Sequence, residues 1–93
     1  MSTIVEDPGK PKSTLTEQEY RDRLRELPPS AKLVAKILET DGALSQGQLA
    51  EESLLPDRTV RYALNRLEEA TLVESRYSVQ DARKQVYSLT ERR

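Results

Sequence analysis

The sequence predicts a mainly α-helical domain closed by a small β-hairpin, an α+β architecture in the order α-α-(β)-α-α-β-β. Three observations carry this. Apolar residues recur at helical spacing in four stretches between Leu15 and Thr71. Helix-stopping or turn chemistry separates those stretches at Pro28-Pro29, Asp41-Gly42 and the segment 53–56. Two runs rich in Val, Tyr, Ser and Leu, 72–77 and 84–89, then flank a polar loop. A chain of 93 residues holds one domain, and with 35% hydrophobic residues its core is small.

Residues 1–13 contain Pro8, Gly9 and Pro11 and no periodic apolar pattern, so they read as a mobile arm carrying Lys10 and Lys12. The domain proper is expected over 14–93. The first helix runs from Leu15 to Leu27. Thr16 with Glu19 three residues on forms a capping box, Leu15 and Tyr20 can staple its entry, and Tyr20, Leu24 and Leu27 form a narrow stripe. Arg21, Arg23 and Arg25 alternate with acids and are expected in solvent. The two prolines stop this helix.

Ser30 is then expected to cap a second helix reaching Thr40, with Leu33, Val34, Ile37 and Leu38 buried at the centre of the core. Asp41-Gly42 turns the chain, and Ala43-Leu44 suits a one-bridge strand. Ser45 and Gln48 make a second capping box, starting a short helix that buries Leu49 and Ala50.

After the turn at 53–56 comes the helix around which the chain is organised, ending near Thr71. Val60, Ala63, Leu64 and Leu67 make its apolar face. At about 100° per residue the opposite face carries Arg58, Tyr62 and Asn65, with Thr59 beside them and Arg61 and Arg66 flanking. Two apolar faces meeting across so short a turn form a crossed pair, the helix-turn-helix, over 45–71. The hairpin that follows, 72–90, is then a wing. Tyr87 and Leu89 share its inward face, and 90–93 is a charged end.

Composition removes several classes of function. There is no cysteine and no histidine, so neither thiolate metal sites nor the commonest metal ligand and general base exist. Among three glycines there is no phosphate-cradling loop, and no nucleophile elbow is present. No enzyme, cofactor or metal is expected. No apolar run approaches membrane-spanning length, and the start lacks the apolar core of a signal peptide, so a cytoplasmic protein without membrane contact is expected. The net charge of −1 argues against bulk electrostatic attraction to DNA. Its distribution argues the other way. Between Pro56 and Leu67 three arginines stand against Asp57, and the basic residues comprise ten arginines and five lysines. Arginine pairs bidentately with guanine and asparagine with adenine, so this face suits base edges.

Leu49-Ala50, Arg58-Thr59-Val60, Leu67-Glu68-Glu69-Ala70 and Leu72-Val73 resemble the signature of winged helix-turn-helix regulators. Asp81-Ala82-Arg83, followed by Val86-Tyr87-Ser88-Leu89-Thr90, resembles the wing of the MarR family, including its short archaeal members. The resemblance spans residues 30–91. It implies a homodimer on double-stranded DNA, with one recognition helix per subunit in successive major grooves. By position, Arg58, Thr59, Arg61, Tyr62, Asn65 and Arg66 would face the major groove. Arg83, held by an ion pair with Asp81, would approach the minor groove beside Lys84. The plain alternative for that pair is a hairpin-loop salt bridge of little energetic weight.

Three departures from the family stand out. Leu54 occupies the usual turn glycine and implies a wider or strained turn. Thr71 occupies the glycine that ends the reading helix. If left-handed there it costs on the order of 1 kcal/mol, and Thr71→Gly should raise the melting temperature without changing DNA affinity. The sequence ends at Arg93, before the family's long dimerisation helix. Dimerisation is therefore expected through the first helix, the arm or the outside of the core, and no small-molecule effector is expected.

The leading expectation is a sequence-specific transcriptional regulator that occupies a promoter site. A winged-helix protein-interaction module without specific DNA binding is the alternative, favoured by the near-neutral charge. A weakly specific architectural protein is a third, disfavoured by Asp57, Glu68 and Glu69 beside the basic face.

Overall fold

The computed structural model describes residues 15–81 and 83–92. The arm expected over 1–13, with Lys10 and Lys12, lies outside the described residues. The elements run α1 (Glu17–Arg25), α2 (Pro29–Asp41), β1 (Leu44–Ser45), α3 (Gln46–Ser53), α4 (Asp57–Glu69), β2 (Val73–Tyr77) and β3 (Gln85–Leu89). The predicted order is observed.

Both capping boxes form. The Thr16 hydroxyl accepts from the Glu19 amide at 3.0 Å while Glu19 accepts from the Thr16 amide at 2.9 Å. Ser45 and Gln48 do the same at 3.2 and 2.9 Å. The second helix corrects the sequence reading. Its cap is Pro28, with extended backbone, and Pro29 is its first residue; Ser30 lies inside the helix. Proline suits that place because its missing N–H would be unpaired there and its ring holds a helical φ. The Pro28 carbonyl accepts from Ala31 and Lys32 instead.

The buried face of α2 is also rotated from the expected one. Ala31, Val34, Ala35 and Leu38 are buried, Ile37 is partly buried, and Leu33 is 40% exposed. Alanines at fully buried positions on α2 (Ala31, Ala35) and on α4 (Ala63) let the two helix backbones approach closely. That geometry leaves the bulkier Leu33 outside.

The core gathers Leu49 of α3 with Val60, Ala63, Leu64 and Leu67 of α4, each at most 1% exposed. Tyr20 of α1 and Leu27 just after that helix close it on one side, and Leu72 and Val73 from the start of the hairpin. The sheet is antiparallel in the order β1-β3-β2, with Val73 opposite Leu89, Ser75 opposite Tyr87, and Leu44 opposite Tyr87 on the other edge. Tyr87 and Leu89 pack against the core as expected.

The segment after the wing is not simply a charged end. Thr90 is 2% exposed, and its hydroxyl donates to the Thr71 carbonyl at 2.8 Å. Leu15 donates its amide to the Glu91 carbonyl at 3.0 Å, and the Arg92 guanidinium stacks 4.4 Å from the Tyr20 ring centre. No helix among the described residues is long and apolar enough to cross a membrane.

Candidate nucleic-acid interface

The geometry of α4 follows from burying one face completely. With Val60, Ala63, Leu64 and Leu67 inside, Arg58, Arg61, Tyr62 and Asn65 are exposed on the other side, and Thr59 and Arg66 are half-buried at the edge. Among the described residues, the side chains of Arg58 and Asn65 have neither ion-pair nor hydrogen-bond partner. Neither has a contact with a described side chain to break before meeting a ligand.

Arg66 is not free in this way. Its guanidinium donates to the Tyr62 hydroxyl at 2.9 Å, lies 5.9 Å from that ring's centre, and pairs with Glu69 at 3.6 Å. Arg66 therefore orients Tyr62, which is 48% exposed.

Arg61 is exposed on the flank of α4. The Tyr87 phenol is pushed above its ordinary value, first by burial and then by the charge of Glu68, with Arg61 opposing.

Both joints of α4 are left-handed. Leu54, before it, has φ 63 and ψ 21. The turn therefore carries strain, and the Leu54 side chain is 89% exposed. Thr71, after it, has φ 59. There the helix ends in a Schellman arrangement: Leu72 donates to the Leu67 carbonyl at 2.8 Å and Thr71 to that of Glu68 at 2.9 Å.

In the wing, Asp81 and Arg83 meet as the sequence indicated. The Arg83 Nε lies 3.6 Å from Asp81 Oδ1, and the Arg83 backbone N–H donates to the same oxygen at 3.0 Å. The Lys84 amide donates to the Asp81 carbonyl at 2.9 Å, closing the tip. Arg83 itself is 93% exposed, so Asp81 shapes the loop more than it stabilises the fold. Lys84 is exposed beside it.

Three contacts were not legible in the sequence. Gln46, the first residue of α3, reaches the Asp57 carbonyl at 3.4 Å and ties the two helices at the turn. Arg23, expected in solvent, donates to the Ala70 carbonyl at 3.0 Å and to the Thr71 hydroxyl. Arg92 pairs with Glu17 at 3.4 Å. Only side-chain direction separates Arg23 from Arg21 and Arg25, and no local pattern encodes that.

A crossed helix pair, an outward polar face on the second helix and an adjoining two-stranded wing are now in place. The domain is a winged helix-turn-helix. Residues 34–74 match a family described as winged helix-turn-helix DNA-binding. No curated protein matches the chain in sequence. Among solved structures, BpsR of Bordetella bronchiseptica, whose DNA binding is regulated by 6-hydroxynicotinic acid, is 22% identical with a TM-score of 0.67, over 78% of this chain and 59% of its own. A mutant of S. aureus MepR bound to an oligodeoxyribonucleotide is 24% identical with a TM-score of 0.64, over 80% of this chain and 56% of its own. The zinc-responsive MarR family member ZitR of Lactococcus lactis is 27% identical with a TM-score of 0.64, over 71% of this chain and 45% of its own. The chain thus spans roughly half the length of these proteins.

Proposed function

We propose that the protein is a sequence-specific, double-stranded DNA-binding transcriptional regulator. In this reading α4 enters the major groove and the wing approaches the minor groove. The observation that carries it is the outward face of α4, where Arg58, Arg61, Tyr62 and Asn65 stand exposed on a helix whose other face is fixed in the core. Arg58 and Arg61 supply forked donors for guanine, and Asn65 supplies the donor–acceptor pair that adenine needs. Arg66 acts through Tyr62 rather than on a base. Arg83 and Lys84 contact the backbone or the minor groove, where charge positions the protein more than it specifies sequence. The likeness to DNA-bound MepR supports the same placement.

The protein acts in the cytoplasm as a homodimer on a two-fold site, with half-sites about one helical turn apart. It works by occupying a promoter, with neither catalysis nor a small-molecule effector. The cleft of about 280 Å³ between α1 and α2 is lined by Tyr20 and Leu24 among charged side chains, and no residue of α4 or the wing lines it. Neither 6-hydroxynicotinic acid nor zinc should therefore alter DNA affinity.

Binding to a preferred duplex, followed by fluorescence anisotropy at fixed salt, tests this reading. Arg61→Ala or Asn65→Ala should weaken it by about 1–3 kcal/mol and relax the preference at one base pair. Arg83→Ala should weaken all duplexes alike and flatten the salt dependence. Unchanged binding in the first two variants would show that α4 does not read bases. Salt-insensitive association with a protein partner would support the interaction-module alternative.

A further inference from the structure

The end of the reading helix is held by a closed ring of contacts that runs through α1. Arg23 of α1 donates to the Ala70 carbonyl and to the hydroxyl of left-handed Thr71. The Thr71 carbonyl accepts from the buried Thr90 hydroxyl, and the Thr90 amide donates to the Leu72 carbonyl at 2.9 Å. Thr90 leads into Glu91, whose carbonyl accepts from Leu15, and into Arg92, which packs on Tyr20 and pairs with Glu17. Leu15, Glu17 and Tyr20 lead back along α1 to Arg23. One half of α1 therefore grips the joint between reading helix and wing, and its beginning grips the strand that leaves the wing.

We propose that Arg23 is a positioning residue, which sets the orientation of α4 relative to the wing by clamping the Thr71 joint from α1. It touches neither base nor phosphate. The inference rests on the DNA-reading proposal and deepens it by naming what aligns its two contact surfaces. The physical ground is the joint itself. A non-glycine residue in the left-handed region persists only where its surroundings hold it, and Thr71 is held on its side chain by α1 and on its carbonyl by the wing's exit. The Arg23 guanidinium serves two acceptors from one nitrogen, so it restrains the joint in more than one direction. A helix and a wing that must meet adjacent grooves together lose specific contacts through small misalignment, while sequence-independent phosphate attraction tolerates it.

The test compares wild type with Arg23→Gln on a selected duplex and an unrelated one across a salt series, together with residual dipolar couplings on the free proteins. The proposal expects the preference for the selected duplex to fall about tenfold, with the salt dependence unchanged and the couplings showing α4 reoriented against β2 and β3. An unchanged preference in a folded variant overturns it. So does a salt slope reduced by about one charge, which would make Arg23 a phosphate contact, and so do identical couplings. Arg23→Met, which keeps the stem and removes the charge and the donors, carries the same test should the glutamine variant not fold. Failure of the wild type to bind any duplex removes the DNA-reading proposal, and the couplings still decide whether the clamp exists.

Discussion

The reading helix is entered and left through the same backbone conformation, and the two joints are built differently. Leu54 and Thr71 both sit in the left-handed region, at φ 63 and φ 59. That conformation costs a residue with a Cβ on the order of 1 kcal/mol or more. At Leu54 the side chain offsets none of the cost, because it is apolar and 89% exposed, and only the backbone N–H is tied, to the Ala50 carbonyl at 2.9 Å. At Thr71 the hydroxyl is engaged by Arg23 and the carbonyl by Thr90. The same departure from glycine is thus bare strain on one side of α4 and a built connection on the other. A positive φ speaks to function only where the side chain it carries is used.

Substitutions around the joints can sharpen or break that contrast. The largest effect lies between them. Leu67→Ala empties a fully buried position at the last turn of α4 and should cost about 2–5 kcal/mol in chemical denaturation, since the cavity cannot close without moving the helix. A smaller loss would mean that the joints let α4 shift.

Alkaline pH tests the brace behind the second joint. The Tyr20 phenol is held above its ordinary value of 10.0, first by burial and then by its hydrogen bond to Glu39 at 2.7 Å. The unfolded chain ionises tyrosine from that value upward, and the folded chain resists. Stability from this group is therefore complete below pH 10 and is lost as pH rises beyond it. Tyr20→Phe should flatten the decline, leaving the smaller contribution of Tyr87, which burial also raises. An equally steep decline in the variant would remove Tyr20 from the account.

Leu54→Gly comes next. Relief of strain outweighs the added freedom of the unfolded chain, and stability should rise by roughly 0.5–1 kcal/mol. Thr71→Gly should do least. It relieves the same strain but deletes the hydroxyl that Arg23 holds, so its melting temperature should rise less than that of Leu54→Gly or not at all. The expectation from sequence alone, a plain gain at Thr71, ignored the side chain's partner. Equal gains at both joints would show that the contact of Arg23 with the Thr71 hydroxyl carries no energy.

What could be read from the sequence was what local chemistry encodes. The capping boxes at Thr16–Glu19 and Ser45–Gln48 fixed two helix starts because both partners lie within four residues of each other. The apolar face of α4 fixed which arginines point outward. The second helix was misread where two rules competed: Ser30 looked like a cap, but Pro29 already sat in the first turn. Leu33 was misplaced because hydrophobicity alone cannot say which of two adjacent stripes meets a neighbour. Arg23 and Arg92 were invisible because their partners are between 47 and 75 residues away, and Thr90 because its partner is 19 residues away.

Selection of bound sequences from a random double-stranded DNA pool at moderate salt tests the central claim most directly. The account predicts recovery of a two-fold site with half-sites about one helical turn apart, an enrichment lost when Arg61 or Asn65 is replaced by alanine. A folded protein that enriches no sequence would contradict it and leave the winged helix as a surface for another protein.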